Sequence, residues 1–248
     1  MAERGGLFDD RPVRRVRTRL DAAYDTAVWP ASIPAVGQLL REGLDLPAGV
    51  TFLVGENGAG KSTIVEAVAE AYGLPPEGGS NQGHHATRRT ESPLSEWLAL
   101  ERAPWAAKWG FFLRAETMHG YYTYFESVAT AGDPQLHTMS HGESFNTLLE
   151  TRLNHPQFVA GLVCLDEPEA ALSFQSTLGW VANLAVMAER GTQVLCATHS
   201  PILCSLPGAH ILELGEWGIR EAEWDDLEIV RNWRSFLDAP GRWLKHLL

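Results

Sequence analysis

The sequence predicts a doubly wound α/β fold, in which helices cover both faces of a mainly parallel sheet. Short apolar segments of the length of a buried strand alternate with helical patterns along most of the chain. Three of these segments are followed directly by polar residues or by a glycine-rich loop. Because such a sheet binds ligands at the carboxyl ends of its strands, these groups are expected to meet at one edge.

The predicted elements follow in chain order. Residues 1–50 indicate short strands and turns, because Pro30 and Pro34 interrupt a helix and the segment from Arg14 to Leu20 alternates loosely. A buried strand at 50–54 precedes a helix that ends at Gly73. Further strands are predicted at 110–114, 158–165, 192–197 and 209–214, and further helices at 94–109, 145–153 and 170–188.

The chain is expected to form one domain over 1–248, elaborated or divided into two lobes, because 45% of its residues are hydrophobic. Residues 75–91 are rich in Gly, Ser, Asn, His and Thr, which is typical of a surface loop. With the helix predicted after it, this loop forms a small helical lid or insertion at 74–110. A motif and its helix occupy 140–153, and a C-terminal tail occupies 215–248.

Charge and cysteine content limit the class of protein. The net charge of −11 argues against a protein whose main task is to coat nucleic acid or an anionic membrane. Five arginines near the start could touch a polyanion, although pairing with the protein's own acidic surface is the more common outcome: Arg11, Arg14, Arg15, Arg17 and Arg19. Three cysteines without metal-ligand spacing predict buried, reduced thiols and a cytoplasmic protein.

No direct membrane insertion is expected. The polar, arginine-rich start of the chain does not resemble a secretory signal. No apolar run approaches the roughly 18–20 residues that span a bilayer. If the protein serves a membrane machine, another chain is expected to supply the membrane part.

The strand at 50–54 is followed by a glycine loop, a Lys-Ser pair and a helix, which together are the context of a phosphate-binding loop. Its glycines allow successive N–H groups to point at one anion, and the helix N-terminus adds further donors. Lys61 is expected to reach the β- and γ-phosphates, and Ser62 to place its hydroxyl on Mg²⁺. The predicted nucleotide-binding residues here are Gly55, Glu56, Asn57, Gly58, Ala59, Gly60, Lys61, Ser62 and Thr63.

Two carboxylates and a histidine follow the later strands. Asp166 ends an apolar strand and is the expected second anchor for Mg²⁺, while Glu167 is placed to polarise an attacking water. His199 follows the next strand and can hydrogen-bond the γ-phosphate or that water. Either Tyr24 or Trp29 could stack on an adenine ring, although single aromatic residues more often pack in a core.

Four motifs in this order, at 55–63, 140–143, 165–173 and 197–201, resemble those of an ABC-type ATPase. The chain is most similar to the stand-alone bacterial AAA-family ATPases that are related to RecF, SMC and Rad50 heads. The resemblance spans about residues 30–215 and implies hydrolysis of ATP with Mg²⁺. It also implies an ABC-type core.

The resemblance further implies an ATP-dependent homodimer. In that family the signature motif, here Ser140, Gly142 and Glu143, completes the ATP site of the opposite subunit in a head-to-tail pair. Glu116 takes the position of the family's metal-associated glutamine. The motif reads Ser-His-Gly-Glu where transporters commonly have Ser-Gly-Gly-Gln, and Ser173 replaces a common Asp.

Three roles remain open at this level. The first is an ATPase whose dimerisation is coupled to an unidentified protein partner. The second is an ATP-driven switch in DNA repair or phage defence, which the early arginines permit and the net charge does not encourage. The third is the nucleotide-binding subunit of a transporter, which the short distance between Glu116 and Ser140 disfavours because it leaves little room for the helical lobe.

Overall fold

A computed structural model of the chain describes residues 11–76, 78–80, 92–114 and 161–245. Short 3₁₀ turns occur at Pro168–Ala171, Leu203–Ser205 and Trp224–Asp226. The helices and strands within the described ranges are β1 (Arg15–Thr18), α1 (Pro34–Glu42), β2 (Leu44–Asp45), β3 (Val50–Gly55), α2 (Lys61–Tyr72), β4 (Gly79–Ser80), α3 (Leu94–Trp97), β5 (Leu98–Glu101), β6 (Gly110–Arg114), β7 (Leu162–Asp166), α4 (Phe174–Glu189), β8 (Gln193–Thr198), β9 (His210–Gly215), β10 (Gly218–Glu221), α5 (Glu228–Asp238) and α6 (Pro240–Leu244).

The main sheet has seven described strands in the order β10-β9-β3-β8-β7-β6-β4. Its five inner strands are parallel, and the two outer strands pair antiparallel with their neighbours. Every residue of β7 and β8 is buried, as expected for central strands covered on both faces. The predicted doubly wound α/β fold is confirmed.

Two hydrophobic clusters cover the two faces of this sheet. Successive residues of β3 alternate between them, with Phe52 in one cluster and Leu53 in the other. The cluster around Leu53 includes Ile64 of α2, whereas the cluster around Phe52 includes Trp180 of α4. The sheet is therefore fixed from both sides, which holds the carboxyl ends of its strands in place.

Helix α1 corrects the expectation that Pro30 and Pro34 exclude a helix from this region. Pro34 occupies the first turn of α1, where its missing N–H would have no intrahelical partner in any case. Helix α2, by contrast, ends where it was predicted. Gly73 adopts the left-handed conformation there, and its N–H donates to the carbonyl oxygens of Ala69 and Glu70.

The helix predicted over 94–109 is wrong for most of its length. Only α3 is helical, and β5 follows it directly. Strand β5 pairs antiparallel with β1 in a second sheet of order β2-β1-β5, in which Val16 lies opposite Leu100. Pairing with a strand distant in sequence has overridden a local helical pattern. The helix predicted at 145–153 and the motif at 140–143 lie outside the described residues.

Helix α4 starts later than the predicted position 170. The acidic pair is followed by the 3₁₀ turn Pro168–Ala171, and α4 begins only after Ser173. The Ser173 hydroxyl accepts a hydrogen bond from the Ser176 N–H at 3.2 Å, which caps the helix. In the predicted tail, 215–248, the described residues contain β10, α5 and α6.

The three cysteines are free and buried, as predicted. Burial raises the pKa of the Cys204 thiol to about 12, so this thiol stays protonated near neutral pH. Within the described ranges, no helix combines the length and the apolar character that crossing a bilayer requires.

Three of the early arginines form ion pairs with the protein's own carboxylates. Arg15 pairs with Asp45 at 2.6 Å, and Arg19 pairs with Asp21 at 3.0 Å. Arg17 lies 2.9 Å from a carboxylate oxygen of β5, on Glu101. These exposed pairs contribute little stability, but they offset the local positive charge that a polyanion would need.

The buried amide of Gln193 joins the N-terminal segment to the main sheet. Its Oε1 accepts a hydrogen bond from the Val13 N–H at 2.9 Å. Its Nε2 carries two N–H donors and lies within hydrogen-bonding distance of three carbonyl oxygens, those of Val13, Leu46 and Pro47, at 2.8, 3.1 and 3.0 Å. The amide therefore bonds the backbone on both sides of a buried junction, with its two donors shared among three acceptors.

We expect Gln193→Leu to lower the free energy of unfolding by about 2–4 kcal/mol, because it leaves buried polar groups without partners. The measurement is urea denaturation followed by circular dichroism. Gln175→Leu, on the exposed side of α4, is the matched control and is expected to stay within about 0.5 kcal/mol of the wild type. Equal stability of the two variants would contradict a bridging role for Gln193.

Candidate functional site

The carboxyl ends of β3, β8 and β7 lie side by side at one edge of the main sheet. Val54 is the register partner of Thr198, and Asp166 is the register partner of Ala197. The glycine loop after β3, the acidic pair after β7 and His199 after β8 therefore share this edge. The structure brings together the groups that the sequence analysis placed there.

The glycine loop adopts the backbone conformation that its composition predicts. Gly58 and Gly60 have φ values of 81° and 96°, in the left-handed region that favours glycine. Gly60 precedes the first residue of α2, so the loop leads directly into a helix N-terminus. Gly55 lies so close to the Leu214 carbonyl that a Cβ would overlap it. Left-handed glycines directly before a helix N-terminus are backbone features that an anion-binding loop requires.

Lys61 is the first residue of α2, directly after the glycine loop. Its side chain is buried, and Nζ donates a hydrogen bond to the Glu56 carbonyl oxygen at 3.0 Å. Burial lowers the pKa of Lys61, while the negative charges of Glu167 and Asp166 oppose that shift. A phosphate entering the loop would supply the nearby negative charge that desolvation makes favourable for this ammonium group.

Asp166 is almost completely buried at the end of β7. Its Oδ2 lies 3.5 Å from Nε of Arg114, the last residue of β6. The same guanidinium lies 3.3 Å from the Glu66 carboxylate of α2. Arg114 therefore links the carboxylate at the sheet edge to the helix that follows the glycine loop.

Glu167 has φ 49° and ψ 51°, and it is the one non-glycine residue with positive φ in the described ranges. This left-handed conformation costs about 1–2 kcal/mol for a residue with a Cβ. A hydrogen bond from the Glu167 N–H to the Ala197 carbonyl oxygen, at 3.0 Å, holds it. The turn directs the side chain out of the sheet edge, where 39% of it is exposed to water.

His199 reaches Glu167 from the neighbouring strand. Its Nε2 lies 3.2 Å from Glu167 Oε1, without the alignment of a hydrogen bond. The imidazole is 28% exposed. The two side chains thus lie next to each other beyond the ends of β7 and β8, with Nε2 itself buried.

The described residues offer oxygen ligands of the kind that an Mg²⁺ ion shared with a nucleotide would use. They contain no group of three or more His, Cys, Asp or Glu side chains that could hold an ion. Mg²⁺ is usually held by one or two protein oxygens together with substrate phosphates and water. Ser62 in the first turn of α2 and Asp166 at the sheet edge provide oxygens of this kind.

A cavity of about 470 Å³ lies beside the glycine loop. Its walls include Glu56, Asn57 and Gly58 of the loop, Leu214 of β9, and Ile229 of α5. The loop is therefore accessible from the β9 side of the sheet.

The two aromatic residues considered for stacking on adenine differ in their surroundings. Tyr24 packs against Trp97, with ring centroids 5.2 Å apart. Trp29 is 49% exposed. Of the two, only Trp29 has a ring that is largely open to a ligand, and a stacking role for either residue stays a prediction.

Four predicted site residues lie outside the described residues, namely Ser140, Gly142, Glu143 and Glu116. Two described residues at the site had no role in the sequence analysis. Arg114 could have been found as a charged residue that ends an apolar strand. Glu169 follows the acidic pair by two positions, but its contact with the residues after β8 depends on the tertiary fold.

The segment that contains the glycine loop is similar to a known protein family. Residues 35–93 match the AAA domain family, which confirms the resemblance to AAA-type ATPases over this part of the chain. No sequence match was found among curated proteins.

Solved structures with a similar arrangement are distant in sequence. An inward-facing ABC transporter of the metal-chelate type is 14% identical, with 92% of this chain and 89% of that chain covered and a TM-score of 0.47. The SMC head domain from Thermotoga maritima is 14% identical, with 73% of this chain and 93% of that chain covered and a TM-score of 0.40. The cbiO1 protein from Clostridium perfringens is 15% identical, with 83% of this chain and 89% of that chain covered and a TM-score of 0.43. Likenesses at this level leave the function of this chain open.

Proposed function

We propose that this chain binds ATP at the glycine loop and hydrolyses it at the adjoining carboxylates. The observation that carries the proposal is the position of the buried Lys61 ammonium. It is hydrogen-bonded to the Glu56 carbonyl oxygen of the loop, and the charges of Glu167 and Asp166 oppose the effect of burial on its pKa. A glycine loop that only starts a helix would not need a buried cation beside it.

Each side chain has a separate task in the proposed reaction. Lys61 leaves the Glu56 carbonyl and binds the β- and γ-phosphate oxygens, which stabilises their negative charge. Ser62 and Asp166 would hold Mg²⁺, whose chemistry when bound is to neutralise charge on the phosphates. Glu167 orients a water molecule and takes up its proton as the water oxygen bonds to the γ-phosphorus. The bond from that phosphorus to the β–γ bridging oxygen breaks in the same step, and the products are ADP and phosphate. His199 positions the same water or the γ-phosphate from the opposite side.

The proposal includes association of two chains. By analogy with the ABC-type family, Ser140, Gly142 and Glu143 of one chain would cover the γ-phosphate in the other, so that ATP joins the two subunits. Release of phosphate would then weaken the dimer. A protein partner bound to the two subunits would experience this change in their association. We further propose that the partner is a protein, because three of the five early arginines are paired with the chain's own carboxylates, namely Arg15, Arg17 and Arg19.

Lys61→Ala is expected to weaken ATP binding at least tenfold, which corresponds to about 1.4 kcal/mol. The substitution removes the ammonium group that faces the phosphates and leaves the backbone of the loop in place. Isothermal titration calorimetry with Mg-ATP measures the effect, and release of phosphate measures turnover. Lys108→Ala, at an exposed position, is the matched control. An ATP affinity that does not change in Lys61→Ala would contradict the proposed function.

A further inference from the structure

The hydrogen bonds around Glu169 suggest a residue that acts on the site without facing the nucleotide. Glu169 lies in the 3₁₀ turn Pro168–Ala171, two residues after Glu167. Its Oε1 accepts two hydrogen bonds at 2.6 Å, one from the Thr198 hydroxyl and one from the His199 backbone N–H. Both donors belong to the end of β8, so one carboxylate oxygen joins the loops after β7 and β8.

These bonds are part of a larger connection between the two loops. The Thr198 hydroxyl oxygen also accepts the Ser200 N–H at 2.9 Å, so the bond to Glu169 fixes its rotamer. On the other side of His199, the Glu167 N–H donates to the Ala197 carbonyl oxygen. The backbone that carries the imidazole is therefore held at several successive residues.

Short hydrogen bonds to a charged carboxylate are stronger than neutral ones, and partial burial strengthens them further. Glu169 is only partly accessible to water, and its Oε2 is buried without a hydrogen-bond partner among the described residues. A carboxylate that served stability alone would gain more from bonds to both oxygens. The two bonds that it does make both go to the segment that positions His199.

We propose that Glu169 is a positioning residue that fixes the His199 backbone and thereby places the imidazole beside Glu167. The inference rests on the proposed ATPase function and adds a residue that sets its rate. Without the carboxylate, the Thr198–Ser200 segment loses its main tie to the turn after β7. The imidazole then samples positions away from Glu167, while the backbone of the glycine loop and the hydrogen bond from Lys61 to Glu56 stay in place.

Glu169→Ala is expected to lower kcat about 10–100-fold, the range seen when a supporting hydrogen bond or an ångström of placement is lost. KM for ATP is expected to stay within about twofold, since the phosphate loop keeps its contacts. Glu169→Gln retains an acceptor oxygen for both donors, so its kcat is expected to be at least about fivefold higher than that of Glu169→Ala. Glu189→Ala, at an exposed position of α4, is the control with unchanged kinetics.

A double-mutant cycle tests whether Glu169 acts through His199. If it does, adding Glu169→Ala to His199→Ala lowers kcat much less than Glu169→Ala does alone. The inference is overturned by an unchanged kcat in Glu169→Ala, by a Gln variant as impaired as the Ala variant, or by equal effects in both backgrounds. If Glu169→Ala does not fold, Thr198→Val, which removes one of the two donors, enters the same cycle with the same criteria.

The failure of this inference can be told apart from the failure of the proposed function. The proposed function is wrong if the wild-type chain does not hydrolyse ATP, or if its ATP turnover persists in Lys61→Ala. If that turnover is present and Glu169→Ala leaves it intact, only the role of Glu169 is wrong.

Discussion

Glu167→Gln is expected to bind ATP with wild-type affinity and to lose turnover by roughly 10²–10⁴-fold, the range for a positioned general base. Glutamine keeps the shape and the hydrogen bonding of the side chain but cannot take up a proton from the attacking water. Glu167 is also the residue that the fold holds in a left-handed conformation at the exposed edge of the site. Strain of this kind is common where a side chain must be directed at a substrate.

Two measurements separate binding from chemistry for this variant. Calorimetry with Mg-ATP is expected to give the wild-type dissociation constant, while single-turnover phosphate release gives the reduced rate. Glu189→Gln on α4 provides an exposed glutamate-to-glutamine control. If Glu167→Gln hydrolyses ATP at the wild-type rate, Glu167 is not the base, and a water held by His199 becomes the next candidate.

The parallel core of the fold could be predicted from sequence because its strands are buried on both faces. Burial on both sides produces continuous apolar runs, and β7 and β8 are such runs. The site could be predicted for the same reason. Once strands are known to be parallel neighbours, the residues that follow them must share an edge, as Lys61, Asp166 and His199 do.

Two segments differ from their predicted structure for different reasons. Leu98–Glu101 has a local pattern compatible with a helix, and only pairing with Arg15–Thr18 makes it a strand. Local propensity cannot predict this, because the pairing strand is distant in sequence. Pro34, by contrast, lies in the first turn of α1, where proline favours the start of a helix, so the deciding feature is local.

The contacts of Glu169 could not be predicted from the sequence either. In sequence it is a third carboxylate close to the acidic pair, with nothing to separate it from a solvated side chain. Its role follows from two donors about thirty positions later, on Thr198 and His199. Strand order determines where Asp166, Glu167 and His199 lie, whereas the contacts of Glu169 are determined by side-chain packing between loops.

ATP is expected to convert Glu167→Gln from a monomer, or a loosely associated pair, into a stable dimer. Two chains with a net charge of −11 each repel one another weakly, so the nucleotide must supply part of the attraction. In this variant hydrolysis no longer removes the γ-phosphate that would join the subunits. Light scattering with and without Mg-ATP measures the change in mass.

Adding Ser140→Arg to Glu167→Gln is expected to prevent this dimer while leaving ATP binding by the single chain nearly intact. The proposed contact of Ser140 is with the nucleotide of the opposite subunit, so a bulky side chain there blocks the interface without entering its own phosphate loop. Ser235→Arg on the exposed side of α5, added to the same background, is the matched control, because it adds the same charge and volume elsewhere. If Glu167→Gln stays monomeric at saturating ATP, or if the Ser140→Arg variant dimerises as the control does, the two subunits do not share an ATP site. Hydrolysis would then have to be completed within one chain, by Glu167 and His199 alone.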